Sequence, residues 1–183
     1  YDNKSTIKTL NLSTDAMQLA MGCDCAGKGA VVLFDVSGAK MRHSWNCDKS
    51  IWAVRFSRDA KALAAAGYDM ALTLYSTVNF QTLQTIKYTS LGGPAFIWSL
   101  EWASDSSRLV LGCWNKQAFI YSFDPKAAES PSEGKAALVQ VCNIMRTDRV
   151  YAVALDAKGE HCVVAGRDKK IAMYDIDRGE GRT

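Results

Sequence analysis

Histidine is nearly absent. The chain of 183 residues has two, His43 and His161, more than a hundred positions apart. A catalytic centre wants a nucleophile with a base, paired acids or a set of metal ligands, and so wide a separation argues against a His-based one. Excess charge is also lacking. The formal net charge is +3, and no dense basic run exists beyond Lys169-Lys170, so the electrostatic footprint of a nucleic-acid binder is missing. No run of eighteen apolar residues occurs, which leaves no candidate for a membrane-spanning helix. The first residue is Tyr1, and no secretory signal pattern follows it; the sequence reads as the ordered part of a longer chain. Long helical periodicity is missing too.

What remains is a globular composition, 48% hydrophobic and 22% charged, with enough apolar material for a core. Six cysteines are present, at 23, 25, 47, 113, 142 and 162. Cys23, Cys113 and Cys162 lie inside apolar runs, as buried reduced thiols do, which points to a reducing compartment, cytoplasmic or nuclear. The segment Gly22-Cys23-Asp24-Cys25 lacks the second ligand pair of a zinc site. Gly27-Lys28-Gly29 lacks the full glycine and Lys-Ser/Thr spacing of a phosphate loop. No catalytic residue, metal site or cofactor is expected.

The strongest positive signal is a repeat. Four hexads share one pattern: Ile7 to Leu12, Ile51 to Phe56, Ile97 to Trp102 and Val150 to Leu155. Apolar residues hold the first, fourth and sixth places, and the third is small. The sixth residues are 44, 46 and 53 positions apart. A short turn follows each hexad, rich in small residues and Asp that bond the local backbone. A second apolar run then reaches a glycine, at Gly22, Gly67, Gly112 and Gly166. Such a glycine is expected to take a backbone conformation that a side chain would resist and to allow close packing at the strand end. A third run ends in an aromatic, at Phe34, Tyr75, Tyr121 and Tyr174. A fourth run follows in three units, and the last unit stops short of it. Runs of this length between turn clusters are strands.

Four antiparallel strands per repeat resemble the blades of WD40-repeat β-propellers. The family's loop acid, six residues before the aromatic of the Trp-Asp pair, is matched by Asp69, Asn115 and Asp168. The pair itself appears as Phe34-Asp35, Tyr75-Ser76, Tyr121-Ser122 and Tyr174-Asp175. In the first repeat, Cys25 to Gly29 are extra and are expected to lengthen the loop. The family's Gly-His pair is missing throughout. That histidine bridges the loop acid to the rest of the blade, so Asp69 and Asp168 need other donors, for which the backbone N–H groups of their own loops are expected.

The resemblance implies an all-β propeller segment spanning 1–183. Its blades are expected over about 5–47, 48–90, 94–146 and 147–176, with a polar loop over 124–137 and a linker or tail over 177–183. Four blades are fewer than the roughly seven usual in the family, so the remaining blades are expected from the parent chain or a partner. The implied work is non-catalytic, namely holding a protein or peptide within a multi-subunit complex. The implied contact surface is the top face around the channel. It receives the hexads' second residues (Lys8, Trp52, Trp98 and Tyr151), the residues before the hexads (Ser50, Phe96 and Arg149), and those before the loop acid or amide (Tyr68, Trp114 and Arg167). Trp, Tyr, Phe and Arg are the residue types that concentrate binding energy; they also fill blade interfaces in any propeller. An RNA-associated propeller subunit of a ribonucleoprotein is the alternative, with Arg42, His43, Trp45 and Lys49 as its basic-aromatic cluster. Against that cluster stands a simpler expectation, an outer strand with Trp45 packed inward. A propeller enzyme with a site at the channel mouth fits worst.

Overall fold

Alternating apolar residues and closely spaced turns leave these segments one way to bury their side chains, as short strands paired with their sequence neighbours. The computed structural model describes residues 5–88, 93–129 and 136–182. It contains four four-stranded antiparallel sheets. The first runs β1 (Thr6–Leu12), β2 (Gln18–Cys25), β3 (Lys28–Asp35), β4 (Lys40–Cys47), and the second β5 (Ile51–Phe56), β6 (Ala62–Gly67), β7 (Ala71–Ser76), β8 (Thr82–Lys87). The third runs β9 (Ile97–Trp102), β10 (Arg108–Cys113), β11 (Gln117–Phe123), β12 (Leu138–Met145), and the fourth β13 (Val150–Leu155), β14 (His161–Gly166), β15 (Ile171–Asp175), β16 (Glu180–Arg182). Each sheet pairs its strands in chain order. No helix among the described residues is long and apolar enough to cross a membrane.

The chain divides into two compact units, residues 1–87 and 88–183. In the first, Ala20, Val31, Leu33 and Trp45 of the first sheet meet Ile51, Val54, Phe56, Leu63 and Tyr75 of the second. In the other, Val110, Ala118, Ile120 and Ile144 meet Val150, Cys162, Val164 and Ile176. The two cores use corresponding places of the repeat, and each fully buried aliphatic side chain contributes roughly 2 kcal/mol. Cys23, Cys113 and Cys162 are buried within their strands.

The structure departs from the sequence-based expectation at five places. The extra residues of the first repeat do not make a longer loop. They extend β2 and β3, which close through Ala26 and Gly27, with φ of 52° and 89°. Two successive left-handed residues form the hairpin turn whose twist matches its strands. The segment 177–183 is not a tail, because Glu180–Arg182 pairs with β15 as a fourth strand. It has no apolar pattern to betray it; Gly181 lies against the Tyr174 ring, where a β-carbon would collide. The polar loop over 124–137 holds a short helix, α1 (Pro125–Glu129), begun where the Asp124 carboxylate accepts the Lys126 amide at 2.9 Å; residues 130–135 of that loop, and the end of the expected second blade beyond Tyr88, lie outside the described residues. Gly22 and Gly112 sit inside their strands rather than at the ends. Finally, none of the four repeat glycines has a left-handed backbone, so close packing alone explains them. At Gly67 and Gly166 a β-carbon would run into the carbonyl oxygens of Ser50 and Arg149.

The first and fourth sheets each carry exposed apolar side chains on one face. In the first sheet these are Ile7, Leu10 and Leu12, beside the buried Met21, Cys23 and Val32. In the fourth they are Ile171 and Met173, paired across the sheet with Ala165 and Val163.

Candidate functional site

Every sheet has a β-bulge at the same place. Ile51 pairs with Gly67 and Ala53 with Ala66, which leaves Trp52 as the extra residue. Val150 and Ala152 flank Tyr151 in the same way, Ile97 and Ser99 flank Trp98, and Ile7 and Thr9 flank Lys8. A bulge re-aims the unpaired side chain. The hexad's second place is therefore a bulge rather than an ordinary strand position. In three sheets the amide of the residue before the loop acid or amide bonds back to the carbonyl of the residue before the hexad. Tyr68 reaches Ser50 at 2.9 Å, Trp114 reaches Phe96 at 2.8 Å, and Arg167 reaches Arg149 at 2.9 Å. Three residues scattered in sequence thus meet at one end of each sheet.

In the first unit Trp52 and Tyr68 pack with ring centroids 5.4 Å apart, and Tyr68 is 42% exposed. Lys8 approaches Asp24 at 3.9 Å. The other unit holds the larger group. Trp98 stacks nearly parallel to Trp114, at 5.7 Å and 15°. Tyr151 meets Trp98 edge-on at 5.7 Å, and Phe96 meets Trp114 edge-on at 6.2 Å. The Arg149 guanidinium carbon lies 3.3 Å from the Trp114 ring centre, a cation–π stack. Arg167 is exposed and approaches Asp148 at 3.8 Å. Trp98 and Tyr151 remain 37% and 41% exposed, so neither is consumed by packing.

The loop acids behave differently from one another. The Arg146 guanidinium donates to the Asp168 carboxylate and to the Tyr174 hydroxyl, at 2.9 Å and 3.1 Å. The Arg146 and Asp168 side chains are each only 5% exposed. The Lys170 amide donates to the other Asp168 oxygen at 3.2 Å. Asp168 thus has the loop amide expected from sequence, and also an arginine that sequence reasoning missed. The missed signal is positional: Arg146 stands four residues before the first hexad residue, Val150. The same place before Ile51 is Cys47, whose thiol lies 3.8 Å from the Tyr75 hydroxyl. Asp69 there receives the Ala71 amide at 3.3 Å and pairs with no cation among the described residues. Burial pushes Asp69 up to about 6 and the Cys47 thiol to about 11, and raises Tyr75 as well. Before Ile97 the place is Gly93. Asn115 stands where the acid would, and its buried Oδ1 accepts no hydrogen bond among the described residues.

Trp45 and His43 of the basic-aromatic cluster, and the other histidine, His161, have structural roles. Trp45 is buried and donates its indole N–H to the Phe80 carbonyl at 2.9 Å. His43 stacks on Phe80 at 4.7 Å. The basic-aromatic cluster therefore has no tryptophan to offer a base. His161 pairs with Asp156 at 3.1 Å, and its amide donates to the same carboxylate, which closes the β13–β14 turn.

No protein-family model matches the chain, and no curated protein matches it in sequence. Solved structures do match. The WD40 repeats of RRP9 and the structure of U3-55K each superpose with a TM-score of 0.79 at 17% identity, over 100% of this chain and 52% of theirs. A chain of the mitotic checkpoint complex superposes with a TM-score of 0.77 at 16% identity, over 99% of this chain and 53% of its own. This chain spans about half the length of the solved chains it matches. Identity at this level speaks for fold rather than activity. Four four-stranded antiparallel blades, each bulged at the same hexad position, give this chain the fold of a WD40-repeat β-propeller.

Proposed function

We propose that this chain is a non-catalytic scaffold that holds a protein or peptide partner, as part of a multi-subunit complex in a reducing compartment. The contact surface is the bulge-and-loop end of the blades. Phe96, Trp98, Trp114, Arg149, Tyr151 and Arg167 form its main group. Trp52 and Tyr68 of the first unit supply a further contact of the same kind. Asp69, Asn115 and Asp168 are structural groups beneath it. The observation that carries the reading is the Trp98–Trp114–Tyr151 assembly with Arg149 laid on Trp114. Large, stiff amphipathic side chains bury much area for little lost entropy, and here two of them stay exposed after packing on their neighbours. The apolar faces bearing Leu10 and Leu12, and Ile171 and Met173, are too extensive to stay in water. Further blades, from the parent chain or a partner, cover them.

The test places a photo-crosslinking residue at Tyr151 or, as control, at the exposed Val139 of β12. Partner adducts are expected at the first position and not at the second. Trp98→Ala with Trp114→Ala is expected to weaken partner binding at least about thirtyfold, a loss of about 2 kcal/mol, while circular dichroism stays that of the parent. Undiminished adducts in that variant would remove the site.

A further inference from the structure

The chemistry of the Trp98–Trp114 surface specifies more than a generic partner. Arg149 holds its guanidinium over the Trp114 ring. That guanidinium makes no hydrogen bond or ion pair among the described residues; the engaged groups of Arg149 are its backbone amide, which donates to Asp148 at 2.8 Å, and its carbonyl, which accepts the Arg167 amide. One Asp148 oxygen is thus spent on that amide. The other lies 3.8 Å from Arg167, too far for a good hydrogen bond. Among the described residues the Arg149 guanidinium thus has no carboxylate, and Arg167 has only a distant, partly occupied one. A guanidinium lying against a ring face keeps the planar N–H fork that suits bidentate carboxylate binding. It also puts a cation where a cationic ligand would seek the Trp114 face, so a Lys- or Arg-bearing ligand meets repulsion there. Beside this cation, Trp98 and the edge-on Tyr151 form an exposed apolar ledge. The Tyr151 hydroxyl has no partner among the described residues.

We infer that this surface takes a peptide segment in which a carboxylate side chain stands next to an aromatic or large aliphatic one. The carboxylate docks on Arg149, with Arg167 beside it, and the apolar side chain lies on Trp98 and Tyr151. This rests on the proposed binding role of the same surface and adds the chemistry of its occupant.

Panning short random peptides displayed on phage against the intact protein tests it. The selected pool is expected to be enriched in Asp or Glu beside Phe, Trp, Tyr, Leu or Ile. A selected peptide and its amide counterpart, Gln for Glu or Asn for Asp, are then titrated by fluorescence anisotropy. Amide replacement is expected to weaken binding about tenfold on the parent protein and hardly at all on Arg149→Gln. Arg149→Lys is expected to fall between, since it keeps the charge and loses the planar fork. Unchanged circular dichroism verifies that each variant folds. If the amide counterpart binds as well as the acid, or the pool has no acidic excess, the carboxylate assignment is overturned and the docking surface stands. If nothing is enriched, or binding survives Trp98→Ala with Trp114→Ala, both fall.

Discussion

Two blades meet the same demand in opposite ways. The second and fourth sheets each place an Asp in the loop after their second strand and a Tyr six residues on. In the fourth, Arg146 reaches in and pairs with both Asp168 and Tyr174. In the second, Cys47 holds the same place, meets Tyr75 only at sulfur-contact range, and leaves Asp69 without a cation among the described residues. The fourth blade is a charged clamp that depends on both partners being present. The second is a cluster without that cation, in which burial makes the acid hold its proton more tightly. The third supplies the limiting case. Where Gly93 brings no side chain at all, the acid has become the amide of Asn115. One loop position thus holds a paired acid, an acid without a cation among the described residues, and an amide, each alongside a different residue four places before that blade's own hexad.

The largest effect is expected from breaking the clamp. Arg146→Met leaves Asp168 buried and unpaired, and is expected to cost about 3–5 kcal/mol of stability, read from urea unfolding. Adding Asp168→Asn should return much of that loss, because the stranded charge disappears. A single-variant loss below about 1 kcal/mol would put the pair among ordinary surface bridges.

The opposite sign is expected at the cluster of the second blade. Burial raises Asp69 in the folded protein to about 6, against 3.8 for a free carboxyl. Between those values the folded state holds a proton that the unfolded chain has released. Stability therefore falls as pH rises from about 4 to about 6, and stays lower above that. Asp69→Asn should flatten this dependence and stabilise the protein at neutral pH by roughly 2 kcal/mol. Denaturation followed across that pH window decides it; a variant no more stable than the parent at neutral pH would contradict the cost of holding an ionised Asp69 in its buried loop.

The smallest effect tests whether the two solutions interconvert. Cys47→His puts a donor beside Asp69 and Tyr75. The Asp69 carboxyl, followed by NMR, is expected to titrate lower than in the parent, and neutral-pH stability to rise by about 1 kcal/mol. An unmoved titration would show that the residue four places before the hexad does not control the loop acid.

The repeat was legible from sequence because it is written in apolar periodicity, and strand pairing between neighbours follows from that period alone. The same logic grouped the residues at the bulge-and-loop ends of the sheets. Trp52, Trp98 and Tyr151 share a hexad place, and Tyr68, Trp114 and Arg167 share a loop place. What periodicity does not encode is an interruption of itself. The bulge at the hexad's second residue changes pairing without changing the apolar pattern. β16 escaped notice for the complementary reason, since Glu180, Gly181 and Arg182 have no apolar side chain and are held by backbone pairing and the Tyr174 ring. Arg146 lay just past a strand end, where nothing in its neighbours distinguishes a solvated arginine from a buried clamp.

By itself, then, the amino-acid order determined the blades, their strand sequence and the residue types offered at the ends of the sheets. These depend on local propensity and on a period that each short segment carries within it. The tertiary structure alone decided which guanidinium would be spent and which kept available. Arg146 is consumed by Asp168, while Arg149 lies on Trp114 with its guanidinium unpaired among the described residues. The reason is that an ion pair or a ring stack needs two groups to arrive at one point in space. Only the packing of one sheet against the next brings a residue at the end of β12 to a loop after β14.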